Sequence, residues 1–155
     1  MLIRNIKEFL ESTKKKRIIS LDIGKKNIGM AISDKNHLIV SPLDVIKKNK
    51  FFIQSILNVI NSFNVGGILI GIPVNSKYKN QSSSQMIKDL TKNIDIFLIK
   101  NNYELPIFFW DESYTSLEAE DLTKNIFKNK KKQKNKIDKF AAKIILDDFF
   151  RENLD

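Results

Sequence analysis

The chain has 155 residues, about the size of one ordinary domain, and its 42% hydrophobic residues suffice for a buried core. The absence of cysteine excludes a disulfide scaffold, a cysteine-based zinc site and a thiol nucleophile, and it fits a cytoplasmic protein. One histidine excludes a multi-histidine metal site, and we expect His37 to be an ordinary surface residue. The net charge of +9 favours a polyanionic partner such as nucleic acid, and no apolar stretch is long enough to predict a membrane span.

We predict an amino-terminal extension over residues 1–16 and a single domain over residues 17–155. The extension lacks the uninterrupted apolar centre of a secretory signal. Its apolar residues follow helical spacing and predict a short amphipathic helix, with a membrane-surface anchor as the alternative. These residues are Leu2, Ile6, Phe9 and Leu10.

Alternating apolar and polar residues predict three strands after the extension. The first is Arg17–Ile23 and the second covers residues 28–33. The turn between them is short, so these two strands should pair antiparallel. A third strand is predicted over residues 37–45, although Pro42 weakens its middle.

The rest of the chain alternates helical and strand patterns. The predicted elements are a helix from about residue 50 to 60, a strand at 66–72, a helix at 82–100, a strand at 106–110, a helix opened by a capping box at 115–118, and a helix at 137–150. Together the elements predict an α/β fold. Its mixed five-stranded sheet would have three antiparallel strands, then two crossover strands, and helices on its faces.

Acidic residues stand out at three places within these elements. Asp22 lies inside the first strand, opposite its apolar face, where a turn-capping role is the alternative. Asp111 and Glu112 end a later strand, and because successive side chains point to opposite faces, only one of them can face Asp22. Asp138 borders the apolar stripe of the last helix, where a first-turn charge favoured by the helix dipole is the alternative.

Carboxylates from separate elements can together enclose one or two hard divalent cations, Mg²⁺ or Mn²⁺. Such ions stabilise the attacking and leaving oxygens when a phosphodiester is cleaved, and they need neither histidine nor cysteine. The three acids therefore predict a metal-dependent nuclease, and a nucleic-acid-binding factor without turnover is the alternative from another class.

Four segments of the chain, in order, resemble the motifs of the RuvX (YqgF) family. They are DIGKKNIGMAISD at residues 22–34, GIPVN at 71–75, DESYTSLEAE at 111–120 and IDKFAA at 137–142. The family is related to the RuvC Holliday-junction resolvases in the ribonuclease-H-like superfamily. The resemblance implies that the catalytic, metal-binding acids are Asp22, Glu112 and Asp138.

The resemblance also implies a function and a substrate. The family is associated with processing the 5′ end of the small-subunit (16S) ribosomal RNA precursor in the cytoplasm, as part of ribosome biogenesis. An older description, a Holliday-junction resolvase acting on DNA, remains as the alternative, and the chain could act as a monomer or a homodimer. Ser113 stands where the family usually has arginine, which implies a lost or relocated phosphate contact.

Lysines supply the predicted nucleic-acid contacts. Residues 124–136 contain seven lysines and no acid, and a solvated loop is the alternative reading of this segment. The resemblance adds the lysine of the first motif. The predicted contact residues are Lys26, Lys130, Lys131, Lys132, Lys134 and Lys136.

Overall fold

A computed structural model describes residues 1–73, 81–111 and 130–154, with side chains throughout except at 81–82 and 130–139. The helices are α1 (Ile6–Ser12), α2 (Phe52–Phe63), α3 (Gln81–Lys100) and α4 (Lys130–Asn153). The strands are β1 (Arg17–Ile23), β2 (Asn27–Ser33), β3 (Val40–Lys47), β4 (Val65–Ile72) and β5 (Ile107–Asp111). The helix predicted from residue 115 lies outside the described residues.

The five strands form one sheet in the order β3-β2-β1-β4-β5. The strands β3, β2 and β1 pair antiparallel, whereas β4 and β5 continue the sheet parallel to β1. This arrangement confirms the predicted mixed sheet. Because β1, β4 and β5 are parallel, their carboxyl ends lie at one edge, where open α/β sheets commonly bind ligands.

The predicted starts of two elements, β3 and α4, were wrong. The third strand begins at Val40 instead of residue 37, because the Asp34 carboxylate holds the backbone of residues 36–39 in a turn and His37 has a positive φ of 59°. The last helix begins at Lys130 instead of residue 137. Lysine is a good helix former but supplies no apolar period, so hydrophobic spacing does not reveal this first part of α4. Residues 130–136 are therefore helical, and the solvated-loop reading was wrong for them.

Within the described ranges, two helices cover each face of the sheet. Helices α2 and α3 pack on one face through an aliphatic core that includes Leu21 of β1 and Ile70 of β4. Helices α1 and α4 cover the other face through a core that is rich in aromatic residues. In this core the ring of Phe149 lies against Phe9 and Trp110, with centroid distances of 5.7 and 5.4 Å. None of the helices in the described ranges combines the length and hydropathy needed to cross a bilayer.

The amino-terminal segment packs against the sheet. Ile3 N–H donates to the Ile107 carbonyl over 2.8 Å, so the segment runs beside β5 and covers its edge. Leu2 forms a parallel bridge with Ile107 and lies outside α1, although its spacing predicted a helical position. The buried Thr13 lies directly over Gly67 of β4, where any Cβ would clash with it. Gly67 therefore lets the end of α1 approach the sheet closely.

Candidate active site

Asp22 lies one residue before the end of β1 and is only 7% exposed. Its neighbours Leu21 and Ile23 belong to the aliphatic core under α2 and α3. Because side chains alternate along a strand, Asp22 points to the opposite face, the side of α4. This confirms the predicted strand and its alternation, and it puts a carboxylate where burial of a charge requires compensation.

Glycines flank Asp22 in the sheet. Gly29 is its cross-strand partner on β2. On the other side, Leu21 pairs with Ile70, so the next position of β4, Gly71, lies beside Asp22. Neither neighbour has a side chain that could occupy the space beside the carboxylate, and this local geometry suits a ligand that binds close to the backbone.

Helix α4 runs antiparallel to β1. Near the start of β1, His37 Nε2 donates to the Lys16 carbonyl over 2.8 Å, and the His37 ring stacks on Phe150 at 4.8 Å. Further along the strand, the Ser20 hydroxyl donates to the Ala142 carbonyl over 2.7 Å. The strand interval from Lys16 to Ser20 is about 13 Å long at about 3.3 Å per residue. The helix interval from Phe150 back to Ala142 is about 12 Å long at about 1.5 Å per residue. The helix and the strand are therefore closely aligned.

The same progression brings the backbone of Asp138 level with Asp22. Asp138 precedes Ala142 by one helical turn, about 6 Å, and Asp22 follows Ser20 by two strand residues, about 7 Å. The side chain of Asp138 lies outside the part of the chain whose side chains are described. The structure describes only its backbone, which belongs to α4 on the face of the sheet that carries Asp22.

The end of β5 separates the two acids of the third motif. Phe109 packs on the aliphatic core, whereas Trp110 packs on Phe149 of α4. Alternation therefore puts the exposed Asp111 on the side of α3, away from Asp22. Glu112 follows directly and lies outside the described residues.

The donor chemistry at this edge fits a hard divalent cation. Asp22 offers carboxylate oxygens, which Mg²⁺ prefers, from a buried position. Within the described side chains, no three histidine, aspartate or glutamate residues lie close enough to hold a metal ion. Of the predicted set, only Asp22 has a described side chain.

Lysines cluster at the turn that follows Asp22, where Lys25 and Lys26 are both exposed and Lys48 comes close. Lys26 is exposed in the β1–β2 turn, as a phosphate contact requires, and its carbonyl accepts from Lys48 N–H over 2.8 Å. The half-buried Lys48 donates from Nζ to the Gly24 carbonyl over 3.1 Å, and burial lowers the pKa of its ammonium group. Lys48 was not among the contact residues predicted from the sequence. Because β3 pairs antiparallel with β2, the chain returns at residue 48 to the turn that precedes β2. The side chains of the predicted lysines in α4 lie outside the described set.

Known proteins are similar in sequence to this chain over most of its length. The RuvX family, described as "Holliday junction resolvase", matches residues 16–152. A protein of Orientia tsutsugamushi named "Putative pre-16S rRNA nuclease" is 37% identical over 152 residues, which cover 95% of this chain and 92% of that protein. A protein of Thermoanaerobacter pseudethanolicus with the same name is 35% identical, covering 86% of this chain and 94% of its own.

Solved structures support the fold. The RuvC resolvase of Thermus thermophilus in complex with a Holliday junction substrate superimposes with a TM-score of 0.54 at 12% identity, covering 88% of this chain and 95% of that one. The fowlpox virus Holliday junction resolvase superimposes with a TM-score of 0.51 at 19% identity, covering 89% and 99%. With its ribonuclease-H-like sheet and a family match along most of its length, the chain belongs to the RuvX family.

Proposed function

We propose that this protein is a divalent-metal-dependent nuclease that processes the 5′ end of the 16S ribosomal RNA precursor. Membership of the RuvX family and the names of its relatives support cleavage of nucleic acid. The observation that carries the proposal is the buried Asp22 at the carboxyl edge of the parallel strands, level with the α4 turn that contains Asp138.

Asp22, Glu112 and Asp138 are the proposed ligands of Mg²⁺ or Mn²⁺, one ion or two. Continuing the alternation of β5 by one residue beyond Asp111 would put Glu112 on the face of Asp22. A bound ion supplies Lewis-acid stabilisation of the oxygens that enter and leave phosphorus.

The chain itself contributes position and charge. The buried strand fixes the orientation of the Asp22 carboxylate and limits its contact with bulk water. Lys26, exposed on the adjoining turn, is available to neutralise a phosphate of the bound strand. The lysines of α4 precede Asp138 in the same helix and would extend this contact along the RNA.

The Asp22→Asn substitution tests the site, because it keeps the size of the side chain and removes its charge. We expect cleavage of a labelled 16S precursor RNA in magnesium to fall at least about a hundredfold, since loss of a direct ligand should exceed the ten- to hundredfold effects of groups that only support ligands. Asp34→Asn is the matched control and should cleave normally. Undiminished cleavage by Asp22→Asn would refute the assignment.

Metal binding can be measured without cleavage. Magnesium that binds only the folded protein raises its thermal midpoint in proportion to ln(1 + [Mg²⁺]/Kd), and Asp22→Asn should abolish that rise. A nucleic-acid-binding factor without turnover would show no such dependence.

The choice of RNA over DNA follows from the names of the relatives. The alternative, a resolvase acting on Holliday junctions, is kept open by the description of the family. Side-by-side cleavage of precursor RNA and a four-way DNA junction separates the two substrates. An enzyme that trims RNA in the cytoplasm can work as a monomer, whereas symmetric cutting of a junction favours a homodimer.

A further inference from the structure

A second concentration of positive charge lies at the opposite end of β1 from Asp22. A cleft of about 550 Å³ is formed there by α1, the residues that follow it and the β2–β3 turn. We call it the amino-terminal basic cleft. Its charged and titratable lining residues are Lys7, Glu11, Lys14, Lys15, Lys35 and His37.

The charge of this cleft is strongly unbalanced. Among the described residues that line the cleft, all four lysines are exposed and one carboxylate, that of Glu11, faces them. The nearby Asp34 accepts hydrogen bonds from the backbone N–H groups of Leu38 and Ile39, at 2.7 and 2.8 Å, so its carboxylate is committed to the turn. A surface of this kind attracts phosphodiester groups.

The two sides of the cleft are held together by fixed contacts. His37, on the β2–β3 turn beside Lys35, donates from Nε2 to the carbonyl of Lys16, the residue that follows Lys14 and Lys15. The His37 ring also stacks on Phe150 with an interplanar angle of 13°. The lysines therefore extend from an ordered framework, which reduces the entropy lost when a ligand binds.

Helix α4 connects this cleft with the candidate active site. Leu154, directly after the helix, lines the cleft, and Asp138 is level with Asp22 near the other end. At about 1.5 Å per helical residue, the distance along α4 from Asp138 to Leu154 is about 24 Å. At about 3.4 Å per nucleotide, a nucleic-acid strand spans this distance with roughly seven nucleotides. One bound strand can therefore reach both places.

We propose that the amino-terminal basic cleft binds the phosphodiester backbone of the substrate RNA roughly seven nucleotides from the cleaved bond. The proposal rests on the proposed function, because it takes RNA as the substrate. It assigns the amino-terminal segment a role in holding long substrates, separate from the chemistry at Asp22.

The test neutralises three exposed lysines of the cleft, with Lys14→Gln, Lys15→Gln and Lys35→Gln combined in the full-length protein. Binding of a 20-nucleotide and a 4-nucleotide RNA is measured between 50 and 300 mM salt in EDTA, so that nothing is cleaved. We expect affinity for the long RNA to fall about ten- to a hundredfold at 0.1 M salt, and its log–log salt slope to fall by about 0.7 per lost contact. Affinity for the short RNA, which is too short to reach both places at once, should fall by a smaller factor.

The matched control removes the same charge elsewhere, with Lys88→Gln, Lys92→Gln and Lys100→Gln on the exposed side of α3. It should retain at least half of the wild-type affinity for the long RNA. Equal losses in both triple variants, or an equal loss for short and long RNA, would overturn the proposal, because the effect would then come from net charge or from the active site. Since binding is measured without cleavage, failure of the proposed nuclease activity would not alter this comparison.

Discussion

Asp22 and Asp34 belong to one motif but lie at opposite ends of the β1–β2 pair. Asp22 is buried at the carboxyl edge of the parallel strands. Asp34 accepts from the backbone N–H groups of Asn36, Leu38 and Ile39, and the hydrogen bond from Ile39 is the largest cause of its lowered pKa. At the scale of single residues, one acid of the motif is the proposed metal ligand and the other holds a turn.

Asp34→Ala should lower the free energy of unfolding at pH 7 by about 1–2 kcal/mol. The reason is that three backbone N–H groups lose the carboxylate as their acceptor and hydrogen-bond to water instead. The folded-state pKa of Asp34 is depressed, so its contribution is present above about pH 4 and is lost as the pH falls through the folded value. Urea unfolding at pH 7 and pH 3 measures this directly. A difference between wild type and Asp34→Ala that does not narrow at pH 3 would contradict it.

The burial of Asp22 could be predicted from the sequence because alternation within one strand is a local property. The environment of Lys48 could not, since its contacts with Gly24 and with Met86 Sδ depend on how β3 and α3 meet the first turn. The alignment of Asp22 with the helical turn that contains Asp138 is likewise tertiary. The sequence patterns singled out both acids, and the family motifs then implied that they share a role.

Helix α4 depends on two adjacent alanines for its position. Ala141 and Ala142 are both fully buried, and the Ala142 carbonyl accepts from Ser20 of β1. Small side chains at these positions let the helix backbone approach the strand closely. The spacing of apolar residues predicted a helix in this part of the chain but not its start at Lys130, because the spacing can be read only where apolar residues recur.

Ala142→Leu should therefore displace α4 from β1. Overpacking of a filled interior costs about 1–3 kcal/mol, and the displacement should reduce RNA cleavage even at temperatures where the variant is fully folded. The control is Ala142→Gly, which keeps the close approach and costs only about 1 kcal/mol of helix propensity. Equal cleavage rates for the two folded variants would show that the position of α4 does not matter to the site.

In the molecule as a whole, the amino-terminal segment packs on the edge and on one face of β5. Its backbone covers the β5 edge through Ile3 and Ile107. Phe9 is fully buried and lies against Phe108 and Phe149, with centroid distances of 5.4 and 5.7 Å. The sequence predicted a helix here, and the structure gives its partners, which are far away in the chain and leave no local signal.

Phe9→Ala should lower the free energy of unfolding by about 3–5 kcal/mol, because it leaves a cavity between α1, α4 and the sheet. Phe51→Ala is the matched control, since Phe51 is 62% exposed at the start of α2 and its loss should cost less than about 1 kcal/mol. Thermal or urea denaturation of both variants measures the difference. Similar losses for the two phenylalanines would mean that α1 is not part of the cooperative core.

Trp110 is the only tryptophan of the chain, and its ring lies edge-on to Phe149 between β5 and α4. Its indole emission should therefore report on one place in the molecule, the junction between β5 and the helix that contains Asp138. Detachment of α4 would expose the indole to water and move the emission to longer wavelength while the aliphatic core under α2 and α3 stayed intact. The protein thus carries its own fluorescent probe, with no label needed, for watching cation binding and RNA docking in real time.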